Sequence, residues 1–115
     1  MTFDQGDYSK NDLIPDREAT AQGLYKKALA YHPDARAYLG LGMLQQRRRA
    51  FNDSIKVLAE GIEFFPDNAQ IGICLAVSQM NLAQFDRALD NLLRFEKSPQ
   101  AGPLIEQCRR VLGGG

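Results

Sequence analysis

The chain has 115 residues, 44% hydrophobic and 24% charged, which suits one small ordered domain with a thin apolar core. Its 14 basic and 14 acidic side chains cancel, so no net field draws it to nucleic acid or to an anionic membrane surface. Cys74 and Cys108 stand 34 residues apart with no second cysteine or histidine near either, which excludes a zinc knuckle or a CxxC redox pair and argues against a disulfide framework.

Met1 to Asn11 place acidic and polar residues where a secretory leader needs a basic and then an apolar run. Nowhere do the roughly 18 consecutive apolar residues of a membrane span occur. The expectation is a soluble, cytoplasmic protein of a reducing compartment. Residues 1–14 (MTFDQGDYSKNDLI) follow neither a helical nor an alternating period and are rich in Asp, Asn, Ser and Gly, so they are predicted to form a flexible N-terminal segment. From Pro15 the pattern changes. Ala21, Leu24, Tyr25, Ala28 and Leu29 recur at the three- and four-residue steps of one helix face, predicting a helix from about Asp16 to Tyr31. His32, Pro33 and Asp34 close it, because the residue before a proline is pushed away from helical angles and Asp34 can cap the next helix.

A second helix is predicted from about Ala35 to Arg47, with Tyr38, Leu41 and Leu44 inward. It holds Gly40 and Gly42; each costs roughly 1 kcal/mol relative to alanine inside a helix, so something packs very close there. A third, from about Ala50 to Phe64, turns Phe51, Ile55, Leu58, Ile62 and Phe65 inward. Phe65, Pro66, Asp67 and Asn68 repeat the earlier punctuation, with Asp67 and Gln70 as a candidate capping box. A fourth spans about Ala69 to Asn81 and a fifth about Gln84 to Lys97. After the break at Ser98, Pro99 and Gly102, a last amphipathic segment runs from about Pro103 to Leu112, and Gly113 to Gly115 read as a flexible tail.

Laid over itself at a step of 34 residues, the chain sets Tyr38, Leu41, Gly42, Phe51 and Pro66 over Gly72, Leu75, Ala76, Phe85 and Gln100. Such a period marks units that cannot bury their own apolar faces and must stack on neighbours. The unit resembles a tetratricopeptide repeat, an antiparallel helix pair. Tyr38, Leu41, Gly42, Phe51, Leu58, Ile62 and Pro66 carry the match in one unit, and Leu75, Ala76, Ala83, Phe85, Ala88 and Leu92 in the next. The pattern departs at Ser54 and Gly61, where alanine is usual, at Gln45 and Gln79 in place of an aromatic, and at Pro99, one place early. The resemblance implies an all-α fold: a short α-solenoid of antiparallel helix pairs over residues 15–112. It would comprise about two full tetratricopeptide repeats, a preceding half repeat and a C-terminal capping helix.

The first predicted helix looks like the second half of a repeat whose first half residues 2–15 cannot supply, since they lack the Leu-small pair and end in proline. The face around Leu24, Tyr25 and Ala28 is therefore expected to be open. It belongs either to a fragment of a larger protein or to a surface for self-association as a homodimer.

In the family the first helix of each pair lines a concave groove. The resemblance thus implies groove residues Arg36, Leu39, Met43, Gln46 and Arg47 from one unit, and Gln70, Ile73, Val77, Met80 and Asn81 from the next. Leu39 and Met43 stand where a carboxylate-clamping member would have lysine and asparagine, so the expected partner is a protein or peptide with an apolar stripe. The same groove could instead be filled by the tail helix or by the segment containing Phe3 and Tyr8.

No catalytic set stands out. His32 is the sole histidine and sits at a helix end before proline; Gly40-Leu41-Gly42 lacks the strand, third glycine and lysine of a phosphate loop. The expectation is a non-enzymatic protein that takes no cofactor and no metal. Arg47, Arg48 and Arg49 suit the negative end of a helix dipole, so nucleic acid is not the expected partner; contact with phosphate or an acidic peptide through these arginines is the alternative.

Overall fold

The computed structural model describes residues 17–113, with side-chain surroundings from Thr20 onward. The predicted loose segment 1–14 and the glycines Gly114 and Gly115 lie outside the described residues. Among the described residues there are six α-helices and no strand: α1 (Arg17–Tyr31), α2 (Ala35–Arg47), α3 (Phe51–Phe64), α4 (Ala69–Asn81), α5 (Phe85–Arg94) and α6 (Ala101–Gly113). Each helix packs on the next, and α2 also touches α4, so the arrangement is all-α and repeat-like.

The 34-residue step survives in three dimensions. α1, α3 and α5 begin at that spacing, as do α2 and α4, while α6 begins slightly early. The caps follow the same step. Asp34 Oδ1 accepts from the backbone N–H of Arg36 (2.8 Å) and Ala37 (3.2 Å) ahead of α2. Ahead of α4 the cap is Asn68, whose Oδ1 accepts from Ile71 N–H at 3.0 Å, rather than the expected Asp67. The α2–α3 and α4–α5 turns are also copies. Arg49 and Ala83 adopt φ of 62° and 60°, and Ala50 and Gln84 each donate to the glutamine carbonyl five residues back, Gln45 and Gln79, at 2.8 Å. A left-handed residue there reverses the chain while keeping the last carbonyls of the first helix bonded.

Two boundaries differ from the sequence expectation. α5 stops at Arg94 because Phe95 leaves the helix to pack against Gly72 of α4. α6 starts at Ala101, so Gly102 and Pro103 sit in its first turn, where a proline loses no hydrogen bond, and Gly113 still belongs to it.

The core is two linked clusters. Tyr38, Leu58, Ile62, Ile71 and Leu75 join α2, α3 and α4; Ala76, Ala88, Leu92, Ala101, Ile105 and Cys108 join α4, α5 and α6. Fully burying a leucine such as Leu58 contributes about 1.5–3 kcal/mol. Glycines set how closely these helices approach. A Cβ on Gly42 would collide with Leu58, and one on Gly61 would lie 2.9 Å from Cβ and Cγ of Tyr38. One step later the sizes reverse: Gly72 replaces Tyr38, and Phe95 replaces Gly61 and fills the vacated space. Each pair thus keeps one aromatic ring and one glycine facing each other at the crossing.

This packing predicts opposite signs for one chemical change. Gly61→Ala presses on the root of Tyr38, which cannot swing aside, and lowers stability by about 1–3 kcal/mol despite a better helix propensity. Gly23→Ala, on α1 with nothing within 4 Å, raises it by about 0.5–1 kcal/mol. Urea denaturation midpoints of the two variants should fall on opposite sides of wild type.

Candidate functional site

α2 and α4 lie side by side and present a run of adjoining clefts. One, about 270 Å3, is lined by Leu39, Met43 and Gln46 of α2 and by Gln70, Ile73, Cys74 and Val77 of α4, with Ser98 and Gln100 at its end. A second, about 420 Å3, runs over Met43, Gln46, Arg47, Val77 and Asn81 to Arg49 and Phe51. A third, about 260 Å3, continues from Val77, Met80 and Asn81 to Phe85, Leu104 and Gln107. Val77 belongs to all three, and Met43 is 47% exposed between the first two. The structure therefore brings together every residue assigned to the groove except Arg36, which is exposed at the start of α2 and lines none of these clefts. Leu104 and Gln107 extend the same surface onto α6. Their place was readable in principle, since Ile105 and Cys108 of α6 repeat Ile71 and Cys74 of α4 at the 34-residue step.

The floor of the groove is tied by a chain of hydrogen bonds. Gln46 Nε2 donates to the Cys74 carbonyl and to Ser78 Oγ, both at 2.7 Å; Ser78 donates to Ser54 Oγ (2.9 Å), and Ser54 to the Gly42 carbonyl (2.8 Å). Ser54 and Ser78 are wholly enclosed, so these bonds replace water completely and lock α2, α3 and α4 together. Serine at position 54, where alanine was expected, is explained by this chain. Gln46 is accordingly a cross-brace at the floor as well as a lining residue.

The two glutamines that replace an aromatic fare differently. Gln79 Oε1 accepts from Asn91 Nδ2 at 2.7 Å, whereas Val57 occupies the equivalent place one step earlier and buried Gln45 Oε1 has no partner among the described residues. Elsewhere on α2, Tyr38 donates its hydroxyl to Glu60 Oε2 at 2.6 Å and stacks on Phe64 with ring centroids 6.1 Å apart. Burial, and then the Glu60 hydrogen bond and charge, push the Tyr38 hydroxyl up to about 12.

The arginine run does not act as one patch. Arg47 and Arg49 line the second cleft, while Arg48 donates to Gln22 Oε1 of α1 at 3.2 Å. Among the described residues no acidic side chain lines any of the three clefts; apart from the arginines their rim is amide and hydroxyl.

On α1, Leu24 is 63% exposed and Tyr31 81%, with Ala28 also exposed. Tyr25, assigned to the same open face, instead turns inward onto Gly40, where a Cβ would strike its ring. His32 is exposed, its Nδ1 3.1 Å from the Pro33 carbonyl. Among the described residues no helix is long and apolar enough to cross a membrane, and no group of three or more His, Cys, Asp or Glu is placed to hold a metal ion.

Compared with known proteins, the chain matches no protein-family model and no curated sequence.

Cys74 borders the groove, yet burial pushes its thiol up from the ordinary 9 to about 11, with the Gln46 hydrogen bond opposing the shift. Because the folded value lies above the unfolded one, the neutral thiol's contribution to stability is complete below pH 9 and is lost as pH rises through about 11. In a Cys108→Ala background, the alkylation rate of Cys74 followed by mass spectrometry should keep rising to about pH 11; a plateau near pH 9 would contradict the buried environment.

Proposed function

We propose that the chain is a non-catalytic protein-interaction module, a short solenoid of tetratricopeptide-like helix pairs that binds an apolar peptide or helix in the groove between α2 and α4. The observation that carries this reading is the continuity of the apolar strip. Leu39, Met43, Ile73, Val77 and Met80 follow one another through adjoining clefts, and amide, hydroxyl and arginine side chains bound them. An exposed apolar strip of this kind, rimmed by polar groups, is the usual mark of a binding surface. The floor supports the same reading, because the Gln46–Ser78–Ser54 chain holds the two walls at a fixed spacing without filling the space between them. Methionines on the walls adapt to irregular apolar surfaces, which suits a peptide with several large side chains.

Selection of a random peptide library on the immobilised protein tests the proposal. Peptides with an apolar repeat should be enriched and should bind in fluorescence anisotropy. Met43→Glu and Val77→Glu should each weaken that binding about tenfold or more, because a carboxylate then replaces an apolar contact in the strip, while the helical circular dichroism signal stays intact. Enriched peptides that bind both variants as well as wild type would place the contact elsewhere.

A further inference from the structure

Leu24, Leu58 and Leu92 stand at successive 34-residue steps, at the same place on α1, α3 and α5. Leu58 and Leu92 are completely buried, whereas Leu24 is largely exposed. Thr20 repeats the contrast: it is exposed, while Ser54 and Ala88 at its place on α3 and α5 are fully enclosed. Leu58 is enclosed by α2, whose Gly42 lies against it, and Leu92 shares its cluster with Ala76 of α4. In both pairs the helix that covers this surface carries a leucine followed by a small residue, Leu41-Gly42 against Leu58 and Leu75-Ala76 in the core that encloses Leu92. α1 keeps the surface and has no such helix among the described residues.

Residues ahead of α1 do not match that helix. Pro15 stands one step before Arg49 and two before Ala83, the residues whose φ near 60° and donated N–H groups make the turn between paired helices. Proline holds φ near −65° and has no N–H, so it is incompatible with that turn. The places of Tyr38, Leu41 and Gly42 fall on Asp4, Asp7 and Tyr8. A second copy of α1 fits poorly as well. From Thr20 to Tyr31 α1 carries Lys26 and Lys27 and no acidic residue, so two such faces would bring like charges together. Lys27 holds the place of Gly61 and Phe95, the residues that face Tyr38 and Gly72 of the covering helix.

We propose that the exposed face of α1 docks an acidic amphipathic helix of another polypeptide. That helix lies against α1 as α2 lies against α3, with glycine or alanine against Leu24 and a carboxylate against Lys27.

The probe is a labelled helical peptide that copies the α3-facing residues of α2, including Leu41 and Gly42, and carries glutamate in place of Tyr38. Titrated with the full chain in fluorescence anisotropy, it should bind saturably. Leu24→Glu in the protein, or leucine in place of the peptide's glycine, should weaken binding about tenfold or more. Lysine in place of the peptide's glutamate should weaken it severalfold, and Lys27→Glu should restore that peptide. Met43→Glu, in the groove between α2 and α4, should leave binding unchanged. Absence of saturable binding, binding indifferent to Leu24→Glu, or a dimer seen by light scattering that Leu24→Glu dissolves would each overturn the proposal.

Discussion

Everything in this fold depends on how closely paired helices approach, and glycine sets that distance. At Gly42 and Gly61 the missing side chains admit Leu58 and Tyr38; at Gly72 the missing side chain admits Phe95. Dispersion between groups this close is what a short stack of helices has in place of a deep core, and it fades steeply if the surfaces separate by an ångström. Each glycine costs helix propensity, so these positions are tolerable only because the contact across the interface returns more than the local loss.

The groove arises from that spacing. With α3 drawn tightly behind α2, and α5 behind α4, the first helices of the two pairs lie next to each other, and the serine–glutamine chain fixes their separation. The walls then leave Met43 exposed and Val77 half-buried because the interior faces of α2 and α4 are already occupied by α3 and α5. The same constraint explains α1. It has the leucine that a close-packed partner would cover, and the neighbouring Tyr25 lies against Gly40 of α2, but Leu24 has no covering helix among the described residues.

The helices, the Asp34 cap and the significance of Gly40 and Gly42 could be read from the sequence, because periodicity and glycine cost are local signals. The groove positions were legible only through the 34-residue step, which carries a residue's orientation from one unit to the next. Less legible were features that rest on pairs of residues distant in sequence. Gly61 is a departure from the repeat pattern until Tyr38 is seen beneath it, and Gly72 is an unexplained small residue until Phe95 is seen filling its space. Ser54 reads as an imperfect alanine, yet it carries the hydrogen bond to Gly42 that α3 makes with α2. The end of α5 is hidden for the same reason: nothing near Phe95 says that its ring belongs to α4.

The most direct test of this account exchanges the two arrangements. Tyr38→Gly and Gly61→Phe, made separately in the first pair, should each cost about 3 kcal/mol or more in urea denaturation, one by opening a cavity and the other by overpacking. Made together they install the glycine–aromatic order of the second pair, and the double variant should recover at least about 2 kcal/mol relative to the sum of the single losses. Additive losses would contradict the claim that complementary size at this crossing sets how the helices pack.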